Sequence, residues 1–249
     1  MYDIGFTMIY DGDTLPMGIV IEDIRRPVSP EITISKAQIP GRNGELFRKV
    51  KQAGKVIEVD FRIFSPSESV RVSREGLHKK LRELRKYLIK EEPKKLYLSD
   101  EPMIYSMAIA ETIGSPDYSR DAMLVTVSFD VPLGYSEEEE RRLSVTSPIT
   151  IYYDGDLSTP FVLTGTSTSS DINLSIQGEA DKLSLLRVPL GQTVEIDTGF
   201  ETVREGPNLE LAMTWVTGDS DFPKLHRGKN VITIKGLRDM TLRYQGRYY

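Results

Sequence analysis

The chain has 249 residues, with 32 lysines and arginines against 37 aspartates and glutamates, for a formal net charge of −5. It has no cysteine, which excludes disulfide frameworks, thiolate zinc sites, iron–sulfur clusters and cysteine nucleophiles together. The acidic balance argues against a protein that works by gripping phosphate backbones, and no stretch approaches the roughly 20 apolar residues of a membrane span. In chain order, Met1-Tyr2-Asp3-Ile4-Gly5-Phe6 has neither a basic n-region nor a long apolar h-region, so no signal peptide is expected. Tyr10-Asp11-Gly12-Asp13 sets Asp-Gly between strand-like residues, and Tyr153-Asp154-Gly155-Asp156 repeats the pattern. Both predict hairpin turns, because Asp-Gly is the strongest short hairpin signal.

Ile32 and Ile34 start a strand. Residues 36–56 then carry Lys36, Arg42, Arg48, Lys49, Lys51 and Lys55 against the single acid Glu45, with three glycines and no apolar periodicity across the middle. Such a segment has little to bury, so it predicts a projecting loop or hairpin. Arg42, Arg48, Lys49 and Lys51 are its candidate contacts to another subunit or to a larger assembly. Ile57, Val59, Phe61 and Ile63 alternate with Glu58, Asp60 and Arg62 as a half-buried strand does. Leu77, Leu81, Leu84 and Leu88 are spaced 4, 3 and 4, one face of an α-helix over about 73–90. Ser73 is its expected N-cap, and Pro93 lies beyond its end. Met103, Tyr105, Met107 and Ile109 predict a strand with those residues inward, and Val125, Val127, Phe129 and Val131 another.

Charge shifts along the chain. Residues 1–136 hold 20 acids and 20 bases, whereas 137–249 hold 17 and 12. The break coincides with Glu137-Glu138-Glu139-Glu140-Arg141-Arg142, so a charged linker is expected over 137–147, between domains at 1–136 and 148–249. Beyond it, Ile172/Leu174/Ile176, Val194/Ile196, Ile232/Ile234 and Met240/Leu242/Tyr244 are period-two runs separated by glycine turns, the rhythm of a β-sandwich.

No catalytic chemistry emerges. The pairs Asp11/Asp13, Asp154/Asp156 and Asp219/Asp221 lack the rest of a calcium loop and read as turns. His78 lies in the basic helix, His226 in a turn, and no serine sits in a nucleophile elbow. Glu58/Asp60 and Glu195/Asp197 could pair for glycoside hydrolysis, but each alternates with apolar residues as the wet side of a strand does. Phosphate-binding glycine motifs are absent. Residues 48–95 hold 15 bases and 7 acids, with too few interleaved aromatics for nucleic-acid binding to be preferred over a solvated helix face. Trp215 is the only tryptophan. In an apolar stretch it reads as core, which predicts no affinity of the sandwich for simple sugars.

Four ordered segments carry a resemblance. Arg25-Arg26-Pro27 precedes Ile39-Pro40-Gly41-Arg42-Asn43-Gly44-Glu45. A helix with Leu81-Arg82-Glu83-Leu84 leads to Leu96-Tyr97-Leu98-Ser99-Asp100-Glu101-Pro102. Tyr153-Asp154-Gly155-Asp156 precedes Pro160, and Asp221-Phe222-Pro223-Lys224-Leu225 precedes Gly228-Lys229-Asn230. Together they resemble the distal tail (Dit) proteins of long-tailed siphovirus bacteriophages. The resemblance implies a mainly β protein: an N-terminal β-barrel-like domain with one helix, then a galectin-like β-sandwich. It implies a homohexameric ring at the tail tip of the virion, assembled in the host cytoplasm. The ring would join the tail tube protein to receptor-binding or tail-associated baseplate proteins and let DNA through in transit. No cofactor, metal, membrane or enzymatic activity is implied. The alternative is a carbohydrate-binding module that attaches a phage or enzyme to a cell surface.

Overall fold

The structure, a computed structural model, describes residues 6–38, 43–64, 74–119 and 122–249. It is mainly β, with one α-helix, Arg74–Leu88, among the described residues. Among the described residues no helix is long and apolar enough to cross a membrane. The chain divides after Glu137 into two compact units.

In the first unit, antiparallel strands run in the order Asp13–Thr14, Met8–Tyr10, Lys94–Leu98, Ile104–Ile113, Ala122–Val131, Lys55–Phe64 and Ile19–Arg25. A bridge from Phe6 to Ile21 brings the start of the chain back to the last strand, so the sheet curls into a barrel. The pleat decides what fills it. Ile57, Val59, Phe61 and Ile63 point inward against Val125, Val127 and Phe129 of the paired strand, and all are buried. Glu58, Asp60 and Arg62 stay outside, as their alternation requires. The helix adds Leu77, Leu81, Leu84, Tyr87 and Leu88 to the same core. Its exposed face keeps Lys79, Arg82, Arg85 and Lys86. The expected cap, Ser73, lies outside the described residues. Lys90, past the helix end, binds Asp11 at 2.9 Å. Asp11 and Gly12 both have positive φ, 57° and 82°, and form the two-residue turn between Met8–Tyr10 and Asp13–Thr14 that Asp-Gly favours.

One strand faces the other way from its expected register. In Ile104–Ile113 the core-facing residues are Ala108 and, partly buried, Ala110 and, past the bulge, Ile113; Met107 and Ile109 are not in the core, and Met103 is exposed. Ring volume explains this. The Tyr10 ring packs edge-on at 5.6 Å from Phe129 and donates its hydroxyl to the Ala108 carbonyl at 3.2 Å. Phe129 is paired with Ala110. Small side chains are what these two rings leave room for. Tyr105 is buried on the other side, beside Tyr97 and under Lys95.

The second unit is a sandwich. Six strands run in the order Arg141–Val145, Leu237–Tyr244, Phe161–Ser167, Thr193–Asp197, Thr202–Glu205 and Glu210–Leu211. Four form the other sheet: Ile149–Tyr153, Gly228–Lys235, Ile172–Ile176 and Lys182–Leu185. Leu163, Val194, Ile196 and Leu242 meet Ile172, Leu174, Ile176 and Ile232 in one core. The four period-two runs of the sequence all supply buried residues.

Two expectations need correcting here. The stretch 137–147 is not a linker, because Arg141–Val145 is an edge strand paired throughout with Leu237–Tyr244. Only Val145 of that strand is buried. Charges are stable on an edge strand because they face water there and deter edge-to-edge association; Arg141 binds Glu138 at 2.6 Å. Asp154-Gly155 is not a hairpin either. Ile149–Tyr153 pairs with Gly228–Lys235, and the next strand, Phe161–Ser167, lies in the other sheet. Gly155 is required because the Tyr153 hydroxyl occupies the place a Cβ would take. That hydroxyl donates to the Leu157 carbonyl at 2.7 Å and accepts from the Arg247 amide at 3.0 Å.

Candidate assembly surface

The basic segment forms a hairpin of its own, Ile32–Gln38 paired with Glu45–Gln52. It is a separate two-stranded sheet. Ala53 closes its base by donating to the Glu31 carbonyl at 2.9 Å. Gly134 underlies that base with φ 71°, and a Cβ there would strike the Ala53 carbonyl. Near the tip Gly44 takes φ 90°, a conformation that glycine adopts readily. Every residue of Glu45–Gln52 is exposed.

Register sorts the hairpin into two faces. Ile32 opposes Gln52, Ile34 opposes Val50 and Ser35 opposes Lys49; a bulge then passes Arg48, so Lys36 opposes Phe47. Ile32, Ile34, Phe47 and Val50 therefore share one face, and Lys49 and Lys51 lie on the other with Thr33 and Ser35. The four apolar residues are 48–59% exposed. Arg48, Lys49 and Lys51 are exposed; Arg42 lies outside the described residues. Lys36 pairs with Glu45 at 2.9 Å near the tip. The apolar face was hidden in the sequence by the bulge, which breaks the period of two between Phe47 and Val50.

Two of the resembling motifs meet on the barrel. The Arg26 guanidinium reaches Asp100 at 2.7 Å and Glu101 at 2.6 Å, joining Arg25-Arg26-Pro27 to Asp100-Glu101-Pro102. Arg25 binds Glu58 and Asp60, each at 3.0 Å, and Asp23 at 3.2 Å. Its hydrogen bonds to Asp60 and Glu58 raise its pKa above the ordinary arginine value. The bond to Arg25, with a second from Thr126, holds Asp60 below the usual carboxylate range. Glu58 and Asp60 are thus an arginine clamp. Asn230, in the last motif, is buried; its side chain donates to the His226 carbonyl at 2.7 Å and the Gly228 carbonyl at 3.1 Å, and accepts from the His226 amide at 3.0 Å. It fastens the turn that begins Gly228–Lys235.

The remaining sequence candidates are engaged structurally. Glu195 is buried and binds Arg243 at 3.2 Å, while Asp197 caps its own turn through the amides of Gly199 and Phe200. His78 contacts the Tyr118 hydroxyl at 3.2 Å, and His226 faces Glu179 at 3.6 Å. Trp215 is partly buried against the sandwich core.

Two family models match the chain in order. The phage tail protein RIFT-related domain covers residues 14–131, and the siphovirus-type tail component C-terminal domain covers residues 154–248. The chain belongs to the distal tail (Dit) family of siphoviruses. The crystal structure of SPP1 Dit, a protein described as a paradigm of the hub adsorption apparatus in phages infecting Gram-positive bacteria, matches over 98% of this chain and 99% of its own. The TM-score is 0.80 at 16% identity. The phage p2 baseplate in its activated conformation with Ca matches over 97% of both chains, at a TM-score of 0.47 and 9% identity. Among curated proteins the sequence has no match. The mainly β fold agrees with the SPP1 Dit fold, and the two-sheet second unit with the galectin-like domain that the resemblance implied. As a Dit-type protein the chain is a structural component of the phage tail.

Proposed function

We propose that this Dit protein assembles as a homohexameric ring at the tail tip, and that the hairpin of residues 32–52 is its principal contact between copies. The ring joins the tail tube to the baseplate proteins that adsorb to the host and leaves a channel for DNA. It is assembled in the host cytoplasm and has no enzymatic role. The observation that carries this reading is the hairpin's apolar face. A lone two-stranded hairpin is marginal in water, and an exposed apolar cluster rimmed by charge is the mark of an interaction surface. Ile32, Ile34, Phe47 and Val50 leave about half of each side chain unburied within one copy. A hairpin seated on a different patch of its neighbour makes a head-to-tail contact, the kind that closes into rings. In this division of labour the first 137 residues build the ring and the sandwich hangs outside it.

Six copies of 28.2 kDa amount to about 169 kDa, which light scattering on the purified protein should report. Replacing Arg48, Lys49 and Lys51 together with Glu should leave the monomer folded and weaken the ring or its docking on the tube, most at low salt, where rim charges act over a longer range. A strictly monomeric wild type at high concentration, on and off the tube, refutes the ring. Normal assembly by the triple variant at low and high salt removes the basic residues from the interface.

A further inference from the structure

At one end of the six-stranded sheet of the sandwich, where Phe161–Ser167 begins and Thr193–Asp197 and Leu237–Tyr244 end, lies a groove of about 480 Å³. That volume is in the range of small-ligand sites, roughly 300–1,000 Å³. Its aromatic wall is Phe200, which is 80% exposed. The ring is presented by a fixed turn. Asp197 Oδ1 accepts from the Gly199 amide at 2.8 Å and the Phe200 amide at 3.0 Å. The Thr198 hydroxyl, fully buried, exchanges bonds of 2.8 and 3.0 Å with the Phe161 backbone. Gly199 packs so closely on Pro160 that an added Cβ would lie 3.1 Å from it. The polar lining includes Asp197, Lys224, Arg243 and Gln245. Arg243 is itself oriented by Glu195 at 3.2 Å and Glu140 at 3.5 Å.

We propose that this groove binds a neutral saccharide, with one pyranose stacked on Phe200 and its hydroxyls bonded by Asp197, Arg243 and Gln245. Three features select that class. A rigid exposed ring beside planar donors and acceptors suits a ligand with one apolar face and a polar rim. The charges cancel: Lys224, Arg243 and Arg247 line or border the groove with Glu140 and Asp197, and Glu195 lies against Arg243. A balanced lining favours an uncharged ligand over an anionic one. A peptide would most readily add to a free strand edge, but Phe161–Ser167 is paired on both sides. The expectation of no sugar affinity rested on Trp215, which packs on the sandwich core and does not line this groove. The inference is independent of the ring, and its failure would leave the ring reading intact.

The test is saturation-transfer NMR on the full chain with three neutral probes, maltotetraose, chitotetraose and mannotetraose, and polyglycerol phosphate as the anionic comparison. At least one neutral probe should give a saturable signal. Phe200→Ala should weaken it about tenfold, the effect of losing about 1.4 kcal/mol of stacking. Phe200→Tyr, which keeps the ring, should retain it, and Leu211→Ala, at an exposed site outside the groove, should change nothing. Because Phe200 is exposed, the variants should melt like the wild type. No saturable signal from any neutral probe, binding of polyglycerol phosphate alone, or wild-type affinity in Phe200→Ala overturns the proposal.

Discussion

Replacing Phe47 and Val50 together with Thr isolates the apolar half of the hairpin contact. Thr suits an exposed strand, so the hairpin should persist, while the apolar surface is lost. Full burial of such a side chain is worth about 1.5–3 kcal/mol. Phe47 is 59% and Val50 48% exposed within one copy, so each has about half of that still to gain at an interface. Their joint loss should cost about 1.5–3 kcal/mol per contact, roughly 10- to 150-fold in its dissociation constant. The monomer should change by no more than about 0.5 kcal/mol, because neither side chain belongs to a core. Sedimentation velocity over a dilution series reads the first quantity, and a circular-dichroism melt the second. The loss should be equal at low and high salt, unlike that of the Glu triple variant, since apolar burial is not screened. Ring dissociation unchanged from wild type would refute the assignment of this face. A large drop in the melting temperature would refute it too, by showing that the face is packed within the monomer.

Three further outcomes follow from the interior and the barrel wall. Asn230→Ala removes three hydrogen bonds from a buried turn and should cost about 2–3 kcal/mol, read as a lower midpoint for the sandwich in calorimetry; a midpoint within a degree of wild type would show that water replaces the side chain. Arg25→Gln should destabilise the barrel near neutrality and progressively less on acidification. The depressed Asp60 contributes above its ordinary value, about pH 4, and loses that contribution as pH falls through its folded value; a difference from wild type as large at pH 2.5 as at 5.5 would refute the clamp. Lys55 is buried, donates to the Ser136 hydroxyl at 2.9 Å, and has its pKa lowered by burial and then by Arg26. Lys55→Met should therefore be neutral or stabilising by about 1–2 kcal/mol near pH 7. Its advantage should shrink as pH rises toward the ordinary lysine value, because there the wild type no longer has to bury a charge; a strong loss of stability at pH 7 would show that the ammonium is essential.

Legibility in the sequence followed the contrast between the two sides of each strand. Ile57–Ile63 and Val125–Val131 alternate apolar with polar, and both their strand character and their buried faces could be read directly. Leu77 to Leu88 did the same for the helix. The strand Ile104–Ile113 misled because it is apolar on both sides. Once Tyr10 and Phe129 are in place, the larger side chains must turn outward, and that depends on partners about 20 and 100 residues away. The run at 137–142 misled for the opposite reason: charge density says only that a segment is wet, and an edge strand with one buried residue is wet as well. The arginine clamp could be read as motifs but not as contacts, since Arg26 finds Asp100 only through the order of strands in the barrel. Phe200 left one signal, an aromatic directly after Asp197-Thr198-Gly199, where a turn has no use for a large apolar side chain.

The hairpin and the edge strand Arg141–Val145 put the same physical question in two places and answer it differently. Both leave strand surface exposed. On Arg141–Val145 the outward positions are mostly charged or polar, which solvates the edge and discourages any further strand from adding to it. On the hairpin, Lys49 and Lys51 lie on one face, and the other keeps Ile32, Ile34, Phe47 and Val50, with the Lys36–Glu45 ion pair beside them near the tip. Keeping such a face in water has no benefit for an isolated chain, which would be more soluble with polar residues there. The segregation makes sense if one face is solvated or steers the approach of a partner and the other is covered after contact. On this reasoning the hairpin's basic residues govern how fast and how salt-dependently copies meet, and its apolar residues govern how long they stay together. Charge reversal should therefore act mainly on the association rate, and the Thr substitutions mainly on dissociation.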